Sequence, residues 1–212
     1  MNSQTVSRLT SCPKTGRSKP CPVGVQDMNQ NDLIRRFYST LPAVQEWIEN
    51  TLEDSRAQAV PVINFGFPRL GKVFPRDLLA RAKVVRVTGK VPYPPISSMG
   101  LPEFQQMESM TFSGITYKDT FFVKNDLVHL ESLHFHELVH VVQWDQLGIN
   151  DFLLAYGVGL MQFGYQNSPL EQMAYALQEG FEHQNLPGGV VDLIRRKTDA
   201  IWANVAPLFI TV

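Results

Sequence analysis

Cysteine is nearly missing from this chain: of 212 residues only Cys12 and Cys21 carry a thiol, and both fall in the N-terminal segment. The rest of the chain has none, which argues against a disulfide-stapled fold, and the eight-residue gap between the two does not fit a zinc knuckle. Long apolar runs are missing too. No stretch of about 18 apolar residues occurs, so no membrane-spanning helix is expected. Met1–Gly24 lacks the apolar centre of an export signal, which makes a reducing, cytoplasmic setting the expectation. An excess of charge of either sign is also lacking. Nineteen Lys and Arg against 20 Asp and Glu leave a net charge of −1, without the basic surplus of a nucleic-acid-coating protein. No internal repeat is visible.

What is present is apolar content of 44%, in a chain long enough to bury a sizeable core. Residues 1–28 stand apart: rich in Ser, Thr, Pro, Gly and Lys, they read as a flexible tail, leaving 29–212 as one domain. Asn31 or Asp32 is placed to cap a helix through Leu33, Ile34, Phe37 and Tyr38, and Pro42 to open a second segment from Val44 to about Ala57. Gly66, Pro68 and Gly71 punctuate a loop over Pro61–Pro75, and a short helix follows at Pro75-Arg76-Asp77. Ala82–Val91 reads as a strand, and the four prolines of Val91–Pro102 demand an irregular connection. Glu103–Met110 forms a helical turn. Phe112–Tyr117 and Thr120–Val123, separated by Lys118-Asp119, suggest a hairpin or a bent strand. Further helices are expected near Asp151–Met161, over Ser168–His183, and from Val190 to about Asn204, the last carrying Ile194, Ile201 and Trp202 towards the core.

The most informative stretch is Leu133-His134-Phe135-His136-Glu137-Leu138-Val139-His140-Val141-Val142-Gln143-Trp144. His136 and His140 are four apart, so on a helix they stand one above the other and offer two imidazoles to one metal ion. Glu137 lies about 100° further round, free to take a proton from water activated by that ion. Apolar residues spread round the rest of the helix, ended by Gly148 as its C′ residue. In so apolar a setting, two histidines and a glutamate need a common partner.

A catalytic zinc usually takes a third protein ligand and leaves one position for water. Gln143 and Gln146 occupy the places where the metzincin pattern needs Gly and His. The best candidate is Glu171, and Asp145, Asp151, Glu179, Glu182 and His183 are rivals. A competing account of Glu171 is structural: Ser168-x-x-Glu171 with Pro169 makes a capping box at a helix start.

With those residues in view, the chain resembles the gluzincin branch of the zinc metallopeptidases. The resemblance spans about Thr111–Gln178 and is nearest to small bacterial zincin-like domains with His-Glu-Leu-x-His-x-x-Gln and Asn-Pro-x-Glu-x-x-Ala segments. Ser168 here replaces the Asn before Pro169, and Asn167 sits one place earlier. The resemblance implies one Zn²⁺ per chain held by His136, His140 and Glu171, with Glu137 as general base and acid. It also implies that the strand near Thr120–Lys124 borders the substrate cleft. The expected fold is α+β and zincin-like: a small sheet on a mostly helical body with the His-Glu-x-x-His helix at its centre.

The expected function is hydrolysis of a peptide or protein substrate, with neither nucleic acid nor membrane as partner. The alternatives are a catalytically inactive zincin-like scaffold that binds metal or a partner, and a helical interaction module with an accidental motif. His134, one turn before Glu137, is either a partner that orients that carboxylate or a core histidine bonded to a carbonyl. Tyr165, with Tyr156 and Tyr175 as rivals, is a candidate donor to an oxyanion, and aromatic packing is the competing role for each.

Overall fold

Ile34, Phe37, Leu41, Val44 and Ile48 recur at helical spacing, and all five are buried. They form the inner face of one continuous helix, α1 (Gln30–Ser55), where two segments broken at Pro42 were expected. Proline removes one backbone donor, but the unbroken apolar stripe holds both turns against the same core, and burial outweighs the local penalty. Asn31 and Asp32 both fall inside this helix, which begins at Gln30. Asp32 instead pairs with Arg36 one turn on, at 3.5 Å.

The structure is a computed structural model that describes residues 30–209. The tail read at 1–28, with its two cysteines, lies outside the described residues. After α1 come β1 (Val60–Pro61), α2 (Leu70–Val73), α3 (Arg76–Arg81) and β2 (Lys83–Val87). The strand is shorter than its sequence pattern because Gly89, at φ +93°, turns the chain before the proline-rich connection. Then follow α4 (Gln105–Ser109), β3 (Gly114–Tyr117), β4 (Thr120–Lys124), α5 (Glu131–Phe163), α6 (Pro169–Glu182) and α7 (Val190–Val205).

The fold is α+β, mostly helical, with one mixed four-stranded sheet in the order β1-β2-β4-β3. β2 runs parallel to β4, from Lys83 beside Thr120 to Val87 beside Lys124, while β3 pairs antiparallel with β4 as a hairpin. Thr120–Lys124 is therefore interior, and β3 forms the sheet edge.

The central helix is as deep as its composition requires: every residue from His134 to Trp144 is buried. Gly148 breaks its geometry at φ 73°, ψ 177°, yet hydrogen bonding resumes, so the helices expected on either side form one kinked element. Trp144 and Phe152 stack across that kink with ring centres 3.9 Å apart. α6 docks on α5 through Phe135 and Phe181, stacked at 4.4 Å, and α7 buries Ile194 with Ile201 and Trp202 partly covered. No helix among the described residues is long and apolar enough to cross a membrane.

Candidate metal centre

His136 and His140 project from the buried turn of α5, and Glu171 meets them from the first turn of α6. The approach of α6 depends on a notch: a Cβ on Gly159 would stand 2.6 Å from Ser168 Oγ. The Nε2 atoms of the two histidines lie 3.1 Å apart. Glu171 Oε2 is 3.5 Å from His136 Nε2, and Oε1 is 3.6 Å from His140 Nε2. Ligands about 2.1 Å from one tetrahedral ion stand about 3.4 Å from each other, so these separations match a shared ion. Among the described residues, this is the one group of His, Cys, Asp or Glu side chains placed to hold a metal ion.

The hydrogen bonds around the imidazoles decide which nitrogens face inward. His140 Nδ1 lies 2.8 Å from Gln143 Oε1 and His136 Nδ1 lies 3.1 Å from Gln178 Oε1. An amide oxygen only accepts, so each Nδ1 carries the proton and donates it. Both Nε2 lone pairs then point at the same space. Glu171 Oε2 is buried there without a hydrogen-bond partner, the arrangement a cation resolves. Gln143 also donates to Leu170 O at 3.1 Å, tying the start of α6 to the imidazole it supports.

Electrostatics agree with the geometry. Burial pulls the His140 imidazolium down, but the Glu171 carboxylate, by charge and hydrogen bond, more than offsets this and raises it to about 9. Burial pushes Glu171 upward in turn, yet the two histidines hold it well below the usual carboxylate range. The pocket thus favours positive charge beside Glu171, whether proton or metal, and the two compete for the same nitrogen.

Glu137 is 3% exposed and shares a cavity with the three candidate ligands. Burial raises its pKa, against the opposing pull of both histidines and of a 2.6 Å hydrogen bond from Thr116 Oγ1 to Oε2. Thr116 is on β3, whose carbonyl at that residue accepts from Trp144 Nε1 at 3.2 Å. β3 residues line the cavity and β4 residues do not, so the strand bordering it is the edge strand and not Thr120–Lys124.

Glu171 does not act as a capping-box residue. Ser168 is the N-cap of α6, but no side chain there makes a capping bond, because the carboxylate is drawn to the histidines. The rival ligands lie elsewhere: Asp145 pairs with Arg81, Asp151 sits beyond the kink, and Glu179, Glu182 and His183 are exposed. His134 takes the core role. Its Nε2 donates to Val128 O at 2.8 Å, and its ring packs among Phe65, Phe67 and Phe121, with no hydrogen bond to Glu137.

The tyrosines divide their duties. Tyr156 donates to Glu171 Oε1 at 2.7 Å and so orients a candidate ligand. Tyr175 sets its ring 4.6 Å from that of His136. Tyr165 lines the cavity, its hydroxyl 3.4 Å from that of Tyr175, and burial followed by the charge of Glu171 keeps it protonated.

Sequence reasoning did not assign roles to Gln143, Gln178, Thr116 and Gly114. Gln143 is three residues after His140, so helical spacing marks it as a neighbour, and Gln178, seven after Glu171, falls on the same face of its helix. Nothing local marks Thr116 or Gly114. Comparison of the chain with family models, curated proteins and solved structures finds no match.

Proposed function

We propose that the chain is a zincin-like, gluzincin-type metallopeptidase that hydrolyses a peptide bond with one Zn²⁺ held by His136, His140 and Glu171. One observation carries this reading: two imidazole Nε2 atoms and a partnerless buried carboxylate oxygen converge in the cavity that also holds Glu137, a carboxylate hydrogen-bonded by Thr116. Two nitrogens and one oxygen suit zinc in a site that keeps one position open.

Zinc bound there supplies a Lewis acid and makes a neighbouring water more acidic. The remaining work falls to the chain. Glu137 takes the proton of the attacking water and returns it to the leaving amine nitrogen, a role suited to a carboxylate whose pKa burial has raised. The Thr116 hydroxyl fixes which Glu137 oxygen faces the reaction. Gln143 and Gln178 accept from Nδ1 of each histidine and so turn the Nε2 atoms towards the ion. Tyr165, kept protonated in the cavity wall, is the candidate donor to the oxyanion of the substrate.

The deciding experiment joins metal analysis to turnover. Protein purified without added metal should carry one zinc per chain and cleave members of a mixed peptide library, with cleavage lost in Glu137→Gln. Zinc without cleavage would leave the inactive scaffold as the correct reading.

A further inference from the structure

Tyr156 stands 16 residues beyond His140 on the same helix. In a straight α-helix that interval spans about 24 Å along the axis. Here the Tyr156 hydroxyl donates at 2.7 Å to Glu171 Oε1, which itself lies 3.6 Å from His140 Nε2. The break at Gly148, with φ 73° and ψ 177°, turns the second half of α5 back and closes that distance. One kinked helix thus carries both imidazoles and the residue that holds the third candidate ligand.

Aromatic packing fixes the fold-back. Trp144 and Phe152, on either side of the break, stack at 3.9 Å, and Phe152 stacks in turn on Tyr156 at 5.7 Å with ring planes 13° apart. The bond from Trp144 Nε1 to Thr116 O ties the far end of this ladder to β3.

The two oxygens of Glu171 are unequal. Oε1 accepts from Tyr156, whereas Oε2, buried and 3.5 Å from His136 Nε2, has no hydrogen-bond partner. A phenol donating to one carboxylate oxygen draws electron density from that oxygen and fixes the rotation of the group. The other oxygen is then the better metal donor. A carboxylate offering both would compete for the position that a catalytic site keeps for water.

We infer that Tyr156 is a positioning residue that makes Glu171 a one-oxygen ligand, through Oε2, and so leaves one coordination position open. The inference rests on the metal centre of the proposed function and goes beyond it by assigning the oxygen and the residue that selects it.

Tyr156→Phe removes the hydroxyl and retains the ring that stacks on Phe152. Cobalt(II) in place of zinc reports coordination, because its visible absorption is strong in four-coordinate sites and weaker when a fifth donor joins. The full-length parent saturated with cobalt should show the strong band. Tyr156→Phe, at equal cobalt content, should lose most of it as Oε1 joins Oε2. Zinc affinity, from chelator competition, should fall about tenfold to a hundredfold in the variant, since the carboxylate is no longer held. Tyr117→Phe, which loses a hydroxyl bonded to Pro92 O in the same cavity, should match the parent in both measurements. Tyr156→Leu repeats the test if the phenylalanine variant does not fold. A weak band in the parent, a strong band or parental zinc affinity in a folded Tyr156 variant, or equal losses in Tyr117→Phe would overturn the role of Tyr156 while the metal centre stands. A parent that binds neither metal would overturn both. No substrate enters the experiment, so its result does not depend on turnover.

Discussion

Gly114 on β3 leaves open the space that Glu137 Oε1 occupies: a Cβ at position 114 would stand 2.3 Å from that oxygen. The edge strand and the central helix are thus in contact at the carboxylate assigned to proton transfer. Gly114→Ala should keep the fold and the metal, because neither ligands nor core are touched. It should reduce peptide hydrolysis about a hundredfold or more by swinging the carboxylate out of line. Metal content and kcat measured on the same preparation check this, and an alanine variant with parental kcat would refute it.

Glu137 and His140 should separate chemistry from metal binding. Glu137→Gln preserves size and hydrogen bonding but cannot accept a proton, so zinc stays near stoichiometric while hydrolysis falls by about two to four orders of magnitude. His140→Ala should lose the metal and destabilise the fold, leaving His136 and Glu171 buried without their common partner. Zinc analysis by mass spectrometry beside a thermal melt distinguishes the two. Full metal content in His140→Ala would sink the ligand assignment.

Gln143 supports His140 from behind, and its loss should show in affinity. Gln143→Leu removes the acceptor of the Nδ1 proton and the donor to Leu170 O. Zinc affinity should weaken about tenfold to a hundredfold, as for other partners that orient a metal-binding histidine. Competition with a chromogenic chelator measures it; an unchanged dissociation constant would count against the Nε2 assignment.

His134 should make stability depend on pH without touching the metal centre. Burial among aromatic rings lowers its pKa from 6.5, partly opposed by the hydrogen bond to Val128 O. Below 6.5 the unfolded chain takes up a proton that the folded chain resists. Its contribution is therefore complete above 6.5 and is lost progressively as pH falls towards the lower folded value. Denaturant unfolding of parent and His134→Gln between about pH 7 and about pH 5 should show their stability difference shrinking as pH falls. Parallel curves would refute it.

Helical periodicity is local, and what depends on it could be read from residue order. His136 and His140 share a face because they are four apart, and the apolar residues between them demand burial wherever the helix docks. The hairpin around Lys118-Asp119, the positive φ of Gly148 and the start of α6 at Pro169 follow from equally short-range chemistry. Long-range packing settled the rest. Glu171 alone suits a capping role as well as a ligand role, and along the chain only its pairing with the His-Glu-x-x-His helix favours the second; the docking of α6 on α5 brings its carboxylate to the two histidines. Pro42 would end a helix by its own chemistry, but a core contacted on both sides carries α1 through it. His134 faces away from Glu137 because Phe65 and Phe67, distant in sequence, surround it. The edge position of β3, which brings Thr116 and Gly114 to Glu137, exists only once β4 has paired with β2 across an intervening connection. Spacing within one helix constrains which side chains share a face; which partners those faces meet depends on contacts that no local pattern encodes.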